Sequence, residues 1–343
     1  MTTLRYISLS NPYEYTQLLN FLSAHHLTYD KEAIDCCLGI YDDTDELLAT
    51  ASLSGYVIRN VAVSPHCQGE GLVNTLLSEL LAFGASRGIF YFQLFTKPQY
   101  IYAFTDIGFR LLAKTEYAAL LEFGSLTPQQ WGQRQMQTYS IDPNRAHAAV
   151  VMNANPFTCG HQYLLEEVCQ KESSVLLFIV EENRSALPFS IRLDLVKRGT
   201  AHLSNLTICP SGPYIISQGT FPSYFLKKEE ALFAQTSLDA EIFGSQIAPL
   251  FHIQKRYVGT EPTDKVTAVY NHSLRSILSS HQISLYELKR KELNGTAISA
   301  SVVRQLWLEQ NWQAIVPLVP AATLEFLQSS QGEALRQYLI KDR

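Results

Sequence analysis

The chain has 343 residues, a formal net charge of −5 and a pI near 6.0, with its charges scattered along the sequence. This length exceeds one typical hydrophobic core and suits two domains. The lack of a basic face argues against nucleic acid or a membrane as a partner, and no apolar run reaches membrane-spanning length. The first residues lack the apolar core of a signal peptide, so we expect a cytoplasmic protein.

The first 123 residues predict an α+β domain. Three successive strand patterns at 38–41, 47–53 and 56–63 favour an antiparallel meander. A first helix is expected within 8–25, a second from Leu72 onward, then a strand at 90–95 and a short helix at 100–105.

A Gly-rich turn, with Gln68, Gly69 and Gly71, lies between the third strand and the second helix. It resembles the acetyl-CoA motif of GNAT-type acetyltransferases, in which backbone N–H groups receive the pyrophosphate of CoA. Gln68 and Gly71 match the motif, whereas Val73 replaces its last small residue. The resemblance implies that Gln68, Gly69 and Gly71 bind a CoA-like group. The alternative is an ordinary strand-to-helix turn.

A polar segment at 124–145, with five glutamines, indicates a linker or connecting helix. We therefore predict a GNAT-like domain with its linker at 1–140 and a second domain at 141–343. Strand and helix patterns alternate in the second domain, with strands at 147–152, 175–180, 206–209, 254–258 and 283–287 and helices at 161–170, 190–203, 264–280 and 299–310. The predicted fold class is α/β, with a Rossmann-like, doubly wound parallel sheet whose ligand lies at the carboxyl edge.

The loop from Met152 to His161 joins a buried strand to an amphipathic helix. Pro156 disfavours helix just before it, and Gly160 lets the backbone approach a ligand. The unpaired N–H groups and the positive end of the helix dipole then favour an anion, to which His161 adds a donor. We interpret the loop as an ATP-phosphate site, although a helix cap beside a core histidine remains an alternative.

This loop resembles the T/H-x-G-H signature of the adenylyl-transferring nucleotidyltransferase superfamily through Thr158, Gly160 and His161. The resemblance implies that Thr158 and His161 act on the triphosphate of ATP. Nucleotide contacts are expected from Asn155, Pro156, Phe157 and Gly160. We interpret Cys159 as a small gap-filling residue that the helix N-terminus makes somewhat reactive.

A second segment resembles the other signature of that superfamily, I-S-x-S/T-x-x-R, through Ile298, Ser299, Ser301 and Arg304. Its serines would offer hydroxyl and N–H groups to phosphate, and Arg304 would supply a permanent charge for the departing pyrophosphate. The alternative is a Ser-capped surface helix with a solvated arginine.

Together with segments 180–183, 195–200, 220–227 and 258–262, these signatures make nearly the whole chain resemble the citrate lyase ligase family. That resemblance implies ATP-dependent acetylation, by acetate, of the thiol of a CoA-derived prosthetic group on the acyl carrier subunit of citrate lyase. The reaction would pass through acetyl-AMP and release AMP and pyrophosphate. Mg²⁺ would enter with ATP, and the six cysteines show no zinc-ligand spacing, so no protein metal site is expected.

Two other functions remain open. One is an adenylyltransferase acting on a phosphorylated small molecule such as phosphopantetheine, and the other is a non-enzymatic scaffold with the same fold. Lys227 and Lys228 could neutralise phosphates or form a solvated face. At most one of Arg192 and Arg198 should point into the site, because their i,i+6 spacing puts them on different helix faces.

Overall fold

The structure is a computed structural model that describes residues 2–182, 185–216, 221–260 and 265–341. The chain divides into two compact units. They are Met1–Thr127 together with Phe221–Leu238, and Pro128–Thr220 together with Asp239–Arg343. None of the helices in the described ranges combines the length and the apolar character that a membrane crossing requires.

This division differs from the predicted boundary near residue 140 at two places. The helix Pro128–Tyr139 belongs to the second unit, because the ring of Trp131 lies 5.4 Å from that of Phe251. The segment Phe221–Leu238 belongs to the first unit, where the ring of Phe221 meets that of Phe95 edge-on at 5.6 Å.

The first unit contains a seven-stranded sheet in the order β1-β2-β3-β4-β5-β7-β6. Its strands are β1 (Thr3–Tyr6), β2 (Cys36–Tyr41), β3 (Leu47–Ser54), β4 (Val57–Val63), β5 (Tyr91–Thr96), β6 (Arg110–Lys114) and β7 (Ala119–Gly124), and its helices are α1 (Pro12–Ala24), α2 (Leu72–Ser86) and α3 (Ile101–Thr105). The pairs β2–β3 and β3–β4 are antiparallel, which confirms the predicted meander.

The parallel strands β4 and β5 diverge toward their carboxyl ends. Their paired residues are Val57 with Gln93 and Ile58 with Leu94, although β4 continues to Val63. The divergence opens the sheet next to the Gly-rich turn that begins α2.

Beyond residue 127 the strands are β8 (His147–Met152), β9 (Val175–Ile179), β10 (Leu206–Pro210), β11 (Ile253–Gly259), β12 (Ser284–Leu288), β13 (Glu292–Leu293) and β14 (Thr296–Ala297). The helices are α4 (Pro128–Tyr139), α5 (Cys159–Lys171), α6 (Phe189–Gly199), α7 (Lys228–Ile242), α8 (Ala248–Leu250), α9 (Lys265–Ser280), α10 (Ala300–Leu308), α11 (Trp312–Ile315), α12 (Ala321–Gln328) and α13 (Ser330–Lys341). A π-helical segment, Phe243–Ile247, follows α7.

The second unit has a five-stranded parallel sheet in the order β10-β9-β8-β11-β12. Every residue of β9 is buried, as expected for a strand covered on both faces. The chain order reverses between β8 and β11, and ligands of open α/β sheets bind outside such a switch point. The sheets thus confirm the predicted fold class, an α+β unit followed by a doubly wound parallel sheet.

Candidate active site

A cavity of about 440 Å³ lies at the carboxyl edge of the parallel sheet, where β8, β11 and β12 end. It is lined by residues that follow these strands and by the first turns of two helices. The lining includes Asn153, Thr158, Gly160, His161, Tyr163, Gly259, Asn271, Lys289, Arg290, Ile298, Ser299, Ala300 and Ser301. Both sequence signatures therefore contribute to one cavity.

Thr158 is the N-cap of α5, and it forms a capping box with His161. The backbone N–H of His161 donates to the Thr158 hydroxyl at 3.3 Å, and the N–H of Thr158 donates to Nδ1 of the imidazole at 3.1 Å. The Thr158 side chain is buried, with 1% of its surface exposed. Its hydroxyl is thus engaged in holding the first helical turn and the histidine ring.

His161 is half-buried, and its ring stacks on that of Phe157 at 5.9 Å between centroids. A histidine on the first turn of a helix is expected to be exposed and to contribute little packing; here that expectation is wrong, because the capping box holds the ring inward. Burial, assisted by the charge of Arg290, lowers the pKa of His161 to about 4. The imidazole is therefore neutral at pH 7. Since Nδ1 accepts a hydrogen bond, Nε2 carries the ring hydrogen.

The three residues before Thr158 shape the loop and hold it through contacts with neighbouring segments. The side-chain oxygen of Asn155 accepts the N–H of Leu187 at 3.0 Å, and the peptide bond from Asn155 to Pro156 is cis. The Phe157 side chain is fully buried and its carbonyl accepts the Thr323 hydroxyl at 2.9 Å. The Phe157 ring therefore belongs to the core of the second unit, and Asn155, Pro156 and Phe157 are not among the described residues that line the cavity.

The two signatures touch at Gly160 and Ile298. A methyl group on Gly160 would lie 3.2 Å from the carbonyl oxygen of Ile298, so a side chain there would push the second signature away. Ser299 is the N-cap of α10, and its hydroxyl lies 2.7 Å from that of Ser301. The first turns of α5 and α10 thus present their free N–H groups to the same cavity.

Arg304 is half-buried on α10, and its Nη1 donates to the carbonyl oxygen of Asn155. Burial lowers the pKa of the guanidinium. Arg304 is not among the described residues that line the cavity. The structure therefore shows Arg304 joining the second signature to the loop of the first.

A buried network around Arg192 holds the loop that follows β8. The Arg192 side chain is fully buried, and it donates to the carbonyl oxygens of Asn153 at 2.6 Å, Leu187 at 3.1 Å and Glu182 at 3.2 Å. The Glu182 carboxylate accepts from the Asn153 amide at 2.7 Å and from the Ser185 hydroxyl. Arg192 therefore ties the loops after β8 and β9 together.

The other candidate side chains lie elsewhere. Arg198 pairs with Asp194 at 3.7 Å and with Glu325, on the surface of α6. Lys227 is exposed and belongs to the first unit. The side chain of Lys228 lies outside the described residues, as do Asn183, Thr220, Glu261 and Pro262 of the segments that carry the family resemblance.

Cys159 is half-buried, and burial raises the pKa of its thiol. A raised pKa disfavours the thiolate, which is the nucleophile, and so runs against the expectation of a somewhat reactive cysteine. Its assignment as a gap-filling residue is unaffected.

Sequence reasoning missed Arg290, Gly259, Asn153, Asn271 and Tyr163. Arg290 follows β12 within a run of three basic residues, a pattern that is usual on protein surfaces. Its position beyond a strand predicted to end at the ligand edge was the available signal. Asn271 is 8% exposed and donates to Glu287 at 3.2 Å.

The first unit has its own cavity, of about 550 Å³, where β4 and β5 diverge. Gln68, Gly69 and Gly71 line it, and both glycines have positive φ, +90° and +76°. Gly71 is the N-cap of α2, so the backbone of this turn faces the cavity without side-chain bulk. Tyr224 and Phe225, from the segment Phe221–Leu238, line the same cavity.

Residues 147–327 match the family model of the citrate lyase ligase C-terminal domain. The chain is 36% identical over 313 residues to citrate (pro-3S)-lyase ligase of Klebsiella pneumoniae, covering 90% of each chain. It is 35% identical over 332 residues to the enzyme of the same name from Escherichia coli K12, covering 94% of each chain. The chain belongs to the citrate lyase ligase family. This confirms the predicted family and the predicted enzyme class, a ligase.

Solved structures similar to part of the chain include acetyltransferases. One is the ribosomal-protein-S18-alanine N-acetyltransferase from Escherichia coli, at 16% identity, with a TM-score of 0.31, covering 37% of this chain and 96% of that one. Another is an acetyltransferase of the GNAT family from Staphylococcus aureus, at 11% identity and a TM-score of 0.31, covering 36% of this chain and 99% of that one.

Proposed function

We propose that this chain activates citrate lyase by ATP-dependent acetylation of a thiol. Acetate and ATP form acetyl-AMP and pyrophosphate, and the thiol of the CoA-derived prosthetic group on the acyl carrier subunit then takes the acetyl group, releasing AMP. Membership of the citrate lyase ligase family supports this proposal.

The observation that carries the adenylation half is the convergence of two helix N-termini on one cavity. The first turns of α5 and α10 line it together with His161, Ser299 and Ser301. Free N–H groups at a helix N-terminus favour negatively charged oxygens, and two such ends suit the triphosphate of ATP better than one.

The chemistry needs alignment and charge stabilisation rather than a protein nucleophile. An acetate oxygen bonds to the α-phosphorus of ATP while the bond from that phosphorus to the bridging oxygen breaks. The electron pair and the negative charge leave with pyrophosphate. Donors fixed before the reaction stabilise this charge without reorganising, which is the largest contribution in many enzymes.

His161 suits this task as a neutral donor. Its pKa near 4 keeps the ring uncharged at pH 7, and the capping box with Thr158 fixes the hydrogen on Nε2. We assign that N–H to a phosphate oxygen of ATP, with Thr158 acting as a positioning residue for the ring. The loop amides near Gly160 would provide further donors.

Mg²⁺ would enter this site with ATP. The described residues that line the cavity include no Asp or Glu, so the donor set fits an ion held by phosphate oxygens and water rather than by a protein cage. When bound, Mg²⁺ neutralises part of the phosphate charge.

The first unit is assigned to the acceptor. Its cavity, with the backbone of Gly69 and Gly71 exposed along one wall, suits the pyrophosphate arm of a CoA-like group. Bringing the thiol of that arm to acetyl-AMP would make the transfer effectively intramolecular and limit hydrolysis of the intermediate.

The test is exchange of labelled pyrophosphate into ATP by the purified chain. Exchange that requires acetate supports the proposal. Exchange that requires a phosphorylated acceptor such as phosphopantetheine would replace it with the plain adenylyltransferase. No exchange with either compound would favour a scaffold.

A further inference from the structure

Three consecutive basic residues follow β12, and their side chains differ in environment. Lys289 and Lys291 are exposed; the Nζ of Lys289 lies 3.2 Å from a carboxylate oxygen of Glu292, and the Nζ of Lys291 lies 6.0 Å from the ring centroid of Tyr163. Arg290, between them, is half-buried; it lines the cavity of the second unit, as does Lys289.

Gly259 leaves the space that the Arg290 side chain occupies. It ends β11 and pairs with Leu288 at the end of β12. A methyl group on Gly259 would lie 3.3 Å from both Cγ and Nε of Arg290. Because this spacing is tight for a carbon atom, a side chain at residue 259 would displace the arginine.

Backbone pairing brings Arg290 to the second signature. The N–H of Ile298 donates to the carbonyl oxygen of Lys291 at 3.0 Å, and the hairpin of β13 and β14 lies between these two residues. Arg290 precedes Lys291 in the chain, and Ser299, the N-cap of α10, follows Ile298. The pairing of Lys291 with Ile298 therefore brings Arg290 close to the start of α10. Its charge also contributes to the lowered pKa of His161, which places the guanidinium near the first signature.

Arg304 stands in a different position. Its Nη1 donates to the carbonyl oxygen of Asn155, and it is not among the described residues that line the cavity. Arg290, in contrast, lines the cavity, where a ligand can reach it.

We infer that Arg290 binds the departing pyrophosphate of ATP. This inference rests on the proposed adenylation and names a residue of that site which the two signatures do not contain. Negative charge accumulates on pyrophosphate as its bond to the α-phosphorus breaks, and a guanidinium meets such charge with paired hydrogen bonds.

The experiment measures binding of inorganic pyrophosphate, and its KM in acetate-dependent exchange, for the full-length chain. Arg290→Gln should weaken both by roughly tenfold or more, and Arg290→Lys should recover part of the loss because it keeps the charge. Arg198→Gln is the matched control, since it removes the same charge from a surface pair. It should leave both values unchanged.

A second variant protects the test against a folding defect. Gly259→Val should raise the pyrophosphate KM while Arg290 is still present, and it should add little to the effect of Arg290→Gln, because both changes remove one contact.

Wild-type pyrophosphate affinity in Arg290→Gln would overturn the inference, as would full additivity of the two substitutions. A wild-type chain that binds pyrophosphate but exchanges without acetate would contradict the proposed ligase while the Arg290 comparison still stands. A wild-type chain that binds no pyrophosphate at millimolar concentration would contradict both.

Discussion

The α-carbon of Gly160 approaches Ile298 so closely that an added methyl group would lie 3.2 Å from the Ile298 carbonyl oxygen and 3.4 Å from its Cβ. The first helical turn of one signature thus rests on the residue that opens the other. This contact holds the two helix N-termini at one cavity.

Widening that contact should disable adenylation. Gly160→Ala should be tolerated with a modest loss, because the neighbour must give by only a few tenths of an ångström. Gly160→Val should reduce pyrophosphate exchange strongly, since overpacking costs about 1–3 kcal/mol and separates the helix ends. Cys159→Val, which introduces the same side chain one residue earlier, is the control. Equal exchange rates in Gly160→Val and Cys159→Val would show that the contact is unimportant.

Replacing His161 should separate its structural role from its chemical role. Glutamine at the third helical position can still accept the Thr158 N–H, so His161→Gln should keep the capping box and lose exchange. His161→Ala should lose exchange and also about 1 kcal/mol of unfolding free energy. Chemical denaturation and exchange assays on both variants test this. Near-normal exchange in His161→Gln would show that the imidazole takes no part in adenylation.

The pH dependence of stability should carry the signature of a buried neutral histidine. The pKa of His161 is about 4 in the folded chain, against an ordinary value of 6.5, so between these values the unfolded chain binds a proton that the folded chain excludes. The free energy of unfolding should therefore fall as pH drops through this interval. His161→Gln should show a smaller fall, measured by denaturation at pH 7.5 and 5.0. An identical fall in unfolding free energy for the wild-type chain and His161→Gln would show that His161 is exposed to solvent in the folded chain.

Substitution of Gly71 should block transfer without affecting adenylation. Gly71 has φ of +76°, where a branched side chain is strained, and its added bulk would enter the cavity of the first unit. Gly71→Val should keep acetate-dependent exchange but lose acetylation of the carrier. Gly88→Val, at φ of +80° outside that cavity's described lining, imposes similar strain and should keep both. Loss of transfer in both variants would indicate a general folding defect.

Point substitution is preferable here to deletion of residues 1–123. The segment Phe221–Leu238 packs with the first unit, where Phe221 and Phe225 are buried. A deletion would expose these side chains, and a loss of activity would then have two explanations.

The sequence predicted the parallel sheet well because its strands and helices alternate with clear periodicity. It did not predict α7, in which residues 234–240 are buried in succession, so that no apolar face stands out from the pattern. It also could not assign Phe221–Leu238 to the first unit, since that depends on contacts such as Phe221 with Phe95, far apart in the chain.

The sequence predicted that the two signatures meet at one edge of the sheet, and both do line one cavity there, but it did not predict what each side chain contacts. Thr158 and His161 form a capping box, which the spacing permits but cannot distinguish from two groups facing a phosphate. Arg304 was the arginine of the motif, whereas Arg290, on the cavity wall, lies in an ordinary basic run. Which of two arginines faces a cavity is decided by the packing around Gly259, not by local sequence.

Oxygen transfer from acetate tests the central claim most directly. Acetate labelled with ¹⁸O in its carboxylate is incubated with the wild-type chain, ATP, Mg²⁺ and the thiol form of the carrier subunit, and the products are analysed by mass spectrometry. Attack of acetate on the α-phosphorus predicts one ¹⁸O atom in each AMP released. Unlabelled AMP formed alongside acetylated carrier, or label in inorganic phosphate, would contradict the acetyl-AMP intermediate.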